Sequence, residues 1–165
     1  MIDALIRPYA TPTLDKFATK VAQSGLSANL LTILGFVLGF TGCFLVGMHV
    51  YFAGLVFLLL ALVFDGLDGA VARIKGPTEL GAYLDMMSGV ILFAAFPFFF
   101  MLSESGHATA TSVLLFSFVL MGVANLAYDY FAMKKGAAPA KSGIVETGEI
   151  VGFILARCLY PAVFS

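Results

Sequence analysis

The chain has 165 residues, 61% of them hydrophobic and only 12% charged, with a net charge of −1. A soluble domain carries about twice that charged fraction, so composition excludes a water-soluble enzyme and gives no basic surface for nucleic acid. Cys43 and Cys158 both lie in apolar runs, which excludes a disulfide framework or a zinc site built on cysteine spacing.

The first 27 residues stand apart. In "TPTLDKFATKVAQSG" Thr11 is placed to cap a helix, Pro12 to open it and Gly25 to end it. Leu14, Phe17, Ala18 and Val21 share one face, and Asp15, Lys16 and Lys20 stay off it. The segment is too short and too charged to span. It reads as an interfacial helix, with packing on the same protein as the alternative. No short apolar stretch ends in a cleavage site, so it is not a signal peptide.

Residues 28–165 form the second unit, a transmembrane bundle. Apolar runs of roughly 20 residues, enough to cross a bilayer as helices, place spans at Ala28–Met48, Val50–Arg73, Glu79–Leu102, Ala108–Met133 and Gly143–Phe164. The fold class is an all-α integral membrane protein. Arg7, Lys16, Lys20, Arg73, Lys75, Lys134, Lys135 and Lys141 all fall on one side of that arrangement. The opposite loops, around His49 and from Ser103 to His107, carry no Lys or Arg. The positive-inside rule then puts the N-terminus and every basic loop in the cytoplasm, as for a protein of the plasma or inner membrane. Arg157 remains inside the fifth span.

Chain direction sets the depth of the acids. Asp65 and Asp68 lie near the cytoplasmic end of the second span, Asp85 near the cytoplasmic start of the third, and Asp129, Glu146 and Glu149 at similar depth. At about 100° per residue, Asp65, Asp68, Gly69, Ala72 and Arg73 occupy an arc of roughly 140°, while Gly81, Asp85 and Gly89 recur every fourth residue. If the two faces meet, Asp65, Asp68 and Asp85 converge. Carboxylates so placed need a partner, and all-oxygen ligands favour Mg²⁺, Mn²⁺ or Ca²⁺ over Zn²⁺. An ion-pair network with Arg73 is the plainer alternative. A proton pathway fits less well, because the acids cluster at one side. Thr78 is placed to cap the third span, and free helix amides beside Arg73 suit phosphate. Gly69 and Gly81 permit close approach, or serve helix packing as Gly35 and Gly39 do.

The stretch "FDGLDGAVARIKGPTELGAYLDMMSGV" resembles the signature of the CDP-alcohol phosphotransferases, D-x2-D-G-x2-A-R followed by G-x3-D-x3-D. Asp65, Asp68, Gly69, Ala72, Arg73, Gly81 and Asp85 stand at its positions, and "GLSANLLTILGFVLG" upstream is similar to the family's first membrane entry. The resemblance implies a six-helix membrane bundle behind an amphipathic helix, dimeric, in phospholipid biosynthesis. It implies transfer of a substituted phosphate from a CDP-linked lipid such as CDP-diacylglycerol to an alcohol, with release of CMP. Asp65, Asp68 and Asp85 match its metal positions, for Mg²⁺ or Mn²⁺; Asn29, Thr32, Gly69, Arg73, Thr78 and Gly81 match positions near the CDP. There are two departures. Five spans stand where the family has six. The last aspartate, which in the family is a metal ligand and the proposed base, is Gly89. The expectation is therefore a weakly active enzyme, or a silent member that binds metal and CDP-lipid without turnover. Glu146 and Glu149 are the carboxylates that could stand in. Lys134, Lys135 and Lys141 read as an ordinary basic flank, and His49 and His107 lie on the far side.

Overall fold

The computed structural model describes Leu14 and residues 17–103 and 108–134. The helix start at Thr11 and Pro12, the fifth span, Lys135, Lys141, Glu146, Glu149, Arg157, Cys158 and His107 lie outside the described residues, as do the side chains of Asn125 and Asp129. The described chain is a short helix α1 (helical at Leu14 and through residues 17–23) followed by four long helices. These are α2 (Ala28–Gly47), α3 (Tyr51–Lys75), α4 (Glu79–Ser103) and α5 (Ala108–Lys134). All four are long and apolar enough to cross a membrane, and they match the first four expected spans to within a few residues.

Local chemistry sets the ends. Ser27 caps α2, its hydroxyl accepting the Leu30 N–H at 3.2 Å. His49, at φ 62°, turns the chain between α2 and α3, and its Nδ1 lies 2.8 Å from the Tyr51 hydroxyl. α3 ends at Gly76, whose φ of 96° only glycine adopts without strain. Arg73 and Lys75 in its last turn complement the negative end of the helix dipole. Thr78 caps α4 as expected, accepting the Gly81 N–H at 3.0 Å.

In a bilayer, apolar burial gives helices little reason to associate, and small residues that let backbones meet take over. α2 carries such residues on two sides and is the hub: α3 and α4 both pack on it, α5 packs on α4, and α3 and α4 make few direct contacts. A Cβ on Gly42 would lie 3.0 Å from the Gly54 carbonyl oxygen of α3; one on Gly39 would lie 2.9 Å from Leu92 of α4. Gly35 faces α3 in the same way, with Phe64 Cβ at 3.1 Å. The packing role expected of Gly35 and Gly39 is what the structure shows.

α1 closes one end of the bundle. Ala18 is fully buried against Leu31, Ala70 and Val71, with Val21 and Ala22 alongside. Leu14 lies on Gly66. Phe17, expected on the same face, is instead 60% exposed. It sits at the edge of the sector formed by Leu14, Ala18, Val21 and Ala22, beyond the part that α2 and α3 cover.

Candidate active-site cleft

Because α3 and α4 share α2 as a floor and hardly touch, a cleft remains between them. Its cavity measures about 120 Å³. Asp65, Asp68, Thr32, Ser88 and Gly89 lie along it, and Phe36, Leu58, Leu92 and other apolar side chains line the rest.

Asp68 is the unusual member. It is only 5% exposed, and its Oδ2 has no hydrogen-bond partner among the described residues. Thr32 and the Gly69 backbone lie within its hydrogen-bonding reach, and Asp85 within electrostatic reach. The Thr32 hydroxyl, however, directs its one proton to the Ala28 carbonyl at 3.1 Å, so it can serve Asp68 only by giving up that bond. A buried carboxylate so poorly matched costs free energy, and one of its oxygens is left over for a ligand.

Asp65 is more exposed and lies on the cavity wall; Asp85 is exposed on α4 and lies off the cavity lining. Among the described residues, no three His, Cys, Asp or Glu side chains close on one point. Asp65 and Asp68 thus share the cleft, with Asp85 within electrostatic reach of Asp68 but off the lining, and no finished cage forms among the described residues, since the helices that carry them are held apart by α2.

Three of the expected nucleotide positions, Asn29, Thr78 and Gly81, meet where the starts of α2 and α4 come together. Thr78 Oγ1 lies 3.5 Å from Asn29 Oδ1, at the outer limit of a hydrogen bond. Gly81 sits under both: a Cβ there would come within 2.7 Å of Asn29 Oδ1 and 2.9 Å of Thr78 Oγ1. Close approach, one of the two roles expected of Gly81, is therefore real. At Gly69 it is not forced, because a Cβ would meet only Arg73 Nη1 at an ordinary 3.8 Å. The same distance places the Arg73 guanidinium beside Gly69.

Two features are not legible in the sequence. Lys75 donates to the Leu26 carbonyl at 2.6 Å, tying the end of α3 to the entry of α2; a cytoplasmic basic flank gives no sign of such a partner. Ser88, about 100° around the helix from Gly89, also lines the cavity. Its hydroxyl donates to the Asp85 carbonyl at 2.8 Å.

A family model described as CDP-alcohol phosphatidyltransferase matches residues 26–162. The inner membrane protein YnjF of Escherichia coli is 31% identical over 175 residues, covering 100% of this chain and 85% of that protein. An archaetidylinositol phosphate synthase of Pyrococcus horikoshii is 25% identical over 159 residues, covering 96% of this chain and 82% of its own length. In architecture the chain is similar to a phosphatidylinositol phosphate synthase of Mycobacterium tuberculosis crystallised with CDP-DAG bound. The TM-score is 0.67 at 24% identity, over 90% of this chain and 76% of that one.

Proposed function

The chain belongs to the CDP-alcohol phosphatidyltransferase family, and on that premise we propose that its cleft binds a CDP-linked lipid and transfers the substituted phosphate to an alcohol, releasing CMP. The observation that carries the reading is Asp68, buried in the cleft with one carboxylate oxygen unpartnered among the described residues. An orphaned oxygen beside further aspartates fits a hard divalent cation such as Mg²⁺ or Mn²⁺, with Asp65, Asp68 and Asp85 as the residues that would hold it. Mg²⁺ commonly takes only one or two carboxylates and completes its shell with water and substrate phosphate, so a half-built cage suits a metal that arrives with a diphosphate. Bound there, the cation offsets the negative charge of the diphosphate and polarises the bond to the leaving CMP.

The chain's own groups do the rest. Asn29 and Thr78, together at the starts of α2 and α4, and Thr32 on the cavity wall are the side chains offered to the nucleotide. Arg73 offers a planar set of donors to phosphate, and the amides at the start of α4 add a positive helix end. The apolar wall takes the lipid part of the donor. The relatives support the donor class: one is named as an archaetidylinositol phosphate synthase, and another was crystallised with CDP-DAG.

No carboxylate stands at Gly89, so the hydroxyl proton of the acceptor has no protein base at that point. Loss of a general base costs about 10²- to 10⁴-fold. The expected enzyme is slow. The basic residues at this end of the bundle support a cytoplasmic cleft, and exposed Phe17 beside Lys20 supports α1 lying at the membrane surface. The dimer rests on the resemblance alone.

The test is CMP release from CDP-diacylglycerol with Mg²⁺ and a panel of alcohols. Slow release that Gly89→Asp speeds and Asp68→Ala removes supports the reading. Mg²⁺-dependent binding of CDP without turnover by either the chain or Gly89→Asp would assign a binding role in place of catalysis.

A further inference from the structure

α2 has no acidic residue of its own, yet it reaches the aspartates through Thr32, buried on the cavity wall. Gly35, one turn further along, lets α2 lie close to Phe64 and Asp65 of α3, and this approach brings Thr32 to Asp68. The Thr32 hydroxyl is slackly held. Thr41 and Ser117 also bond back to the carbonyl four residues earlier, at 2.7 and 2.8 Å. Thr32 does so at 3.1 Å, past the range of roughly 2.5–3.0 Å usual for hydroxyl donors. It has a second acceptor within reach, the Asp68 carboxylate.

The two acceptors are unequal. The Ala28 carbonyl keeps its helical bond from the Thr32 N–H, so nothing is orphaned when the hydroxyl proton turns away. Asp68 is buried with few donors at hand, the Gly69 backbone and Thr32, and a bond to a charged acceptor is the stronger. The exchange needs only rotation of the hydroxyl hydrogen. Carboxylates that bind a metal are themselves held by hydrogen bonds, which fix the direction they present to the ion.

We propose that Thr32 is a positioning residue for the metal site: its hydroxyl turns from the Ala28 carbonyl to Oδ1 of Asp68 and holds the carboxylate with Oδ2 free for the cation. This rests on the cation placed at Asp65, Asp68 and Asp85 in the transferase reading above. It adds to the part offered to Thr32 in nucleotide binding, since a hydroxyl that donates to Asp68 keeps its lone pairs.

The test titrates the full chain in detergent with Mn²⁺, read by electron paramagnetic resonance. Mn²⁺ is added alone and as its pyrophosphate complex, which brings a diphosphate without a nucleoside. Thr32→Val keeps the shape and removes the hydroxyl. It should bind Mn²⁺ about 10- to 100-fold more weakly, the effect of removing a group that orients a metal ligand, with a melting temperature in EDTA close to the parent's. Thr32→Ser, which keeps the hydroxyl, should bind nearly as the parent does. If Thr32→Val does not fold, Thr32→Ala takes its place with the same expectations. Parent-like Mn²⁺ affinity without the hydroxyl, or an equal loss in Thr32→Ser, overturns the proposal. Asp68→Ala separates the two readings. If it loses Mn²⁺ while Thr32→Val keeps it, only this inference fails. If Asp68→Ala binds as the parent does, or the parent takes up neither form of Mn²⁺, the metal reading fails with it.

Discussion

Asn29, at the head of α2, lies over Gly81 in the first turn of α4, so closely that a Cβ on Gly81 would stand 2.7 Å from Asn29 Oδ1. Two helix ends 49 residues apart along the chain, at Asn29 and Thr78, are joined there by side chains expected to face the nucleotide. Gly81→Ala should force Asn29 and Thr78 aside. Overpacking of this kind costs about 1–3 kcal/mol, against the roughly 1 kcal/mol that alanine returns in helix propensity. The expected outcome is weakened CDP binding by calorimetry with little change in melting temperature. Gly69→Ala, whose Cβ meets only Arg73 Nη1 at 3.8 Å, should leave the fold intact and raise thermal stability. Equal effects at the two positions would refute the geometric distinction.

Asp68 should give effects of opposite sign on stability and on binding. Its buried Oδ2 has no partner among the described residues, and such a group costs about 1–3 kcal/mol. Asp68→Asn keeps the size and removes the charge. In EDTA the variant should unfold at a higher temperature than the parent. With Mg²⁺ and CDP the order should reverse, because a ligand that binds only the folded state stabilises in proportion to its affinity and the variant has lost a ligand. A variant less stable than the parent in EDTA would show that the carboxylate's bonds to its protein neighbours outweigh the cost of the unpartnered Oδ2.

Much of this is legible in the sequence because the membrane restricts the choices. Length and apolarity set the helices, and the order of spans alone brings the ends of α3 and α4 to one depth. Cap signals are also readable: Gly76 and Thr78 punctuate the turn between those helices, and their chemistry is local. Lateral detail is not readable in the same way. Two acidic faces at one depth suggest direct contact, yet contact between α3 and α4 is decided by which helix carries small residues on two sides, and that is α2. Phe17 departs from expectation for a related reason. Helical periodicity defines an apolar sector, and only the partner surface decides how wide a sector is covered. Lys75 gives no signal, since its acceptor is a backbone carbonyl and carries no side-chain signature.

Substituting alanine at two glycines separates packing from vacancy. On Gly42 a Cβ would lie 2.8 Å from Leu58 Cγ and 3.0 Å from the Gly54 carbonyl oxygen. The carbonyl belongs to a helix backbone and cannot turn away. Gly42→Ala should therefore lower stability by about 1–3 kcal/mol. Gly89→Ala, with nothing within 4 Å, should raise it by up to about 1 kcal/mol. Thermal unfolding in one detergent compares them directly, and a destabilised Gly89→Ala would mean that a neighbour packs against α4 at this point.

Lys75 offers a test of how the head of the cleft is positioned. Its ammonium donates to the Leu26 carbonyl at 2.6 Å, one residue before the Ser27 cap and three before Asn29. The bond is exposed, so its contribution falls below the 1.5–3 kcal/mol of a buried charged hydrogen bond, at about 0.5–1 kcal/mol. Its larger consequence is geometric. It holds the entry of α2 against the end of α3, and so places Asn29 and Thr32 relative to Asp68. Lys75→Met keeps most of the apolar stem and removes the donor. CDP binding should weaken by about 3- to 10-fold, a change of the same order as about 1 kcal/mol, with melting temperature nearly unchanged. Lys75→Arg, still able to donate, should recover most of the loss. Unchanged CDP binding in Lys75→Met would show that the bond to the Leu26 carbonyl does not position Asn29 and Thr32.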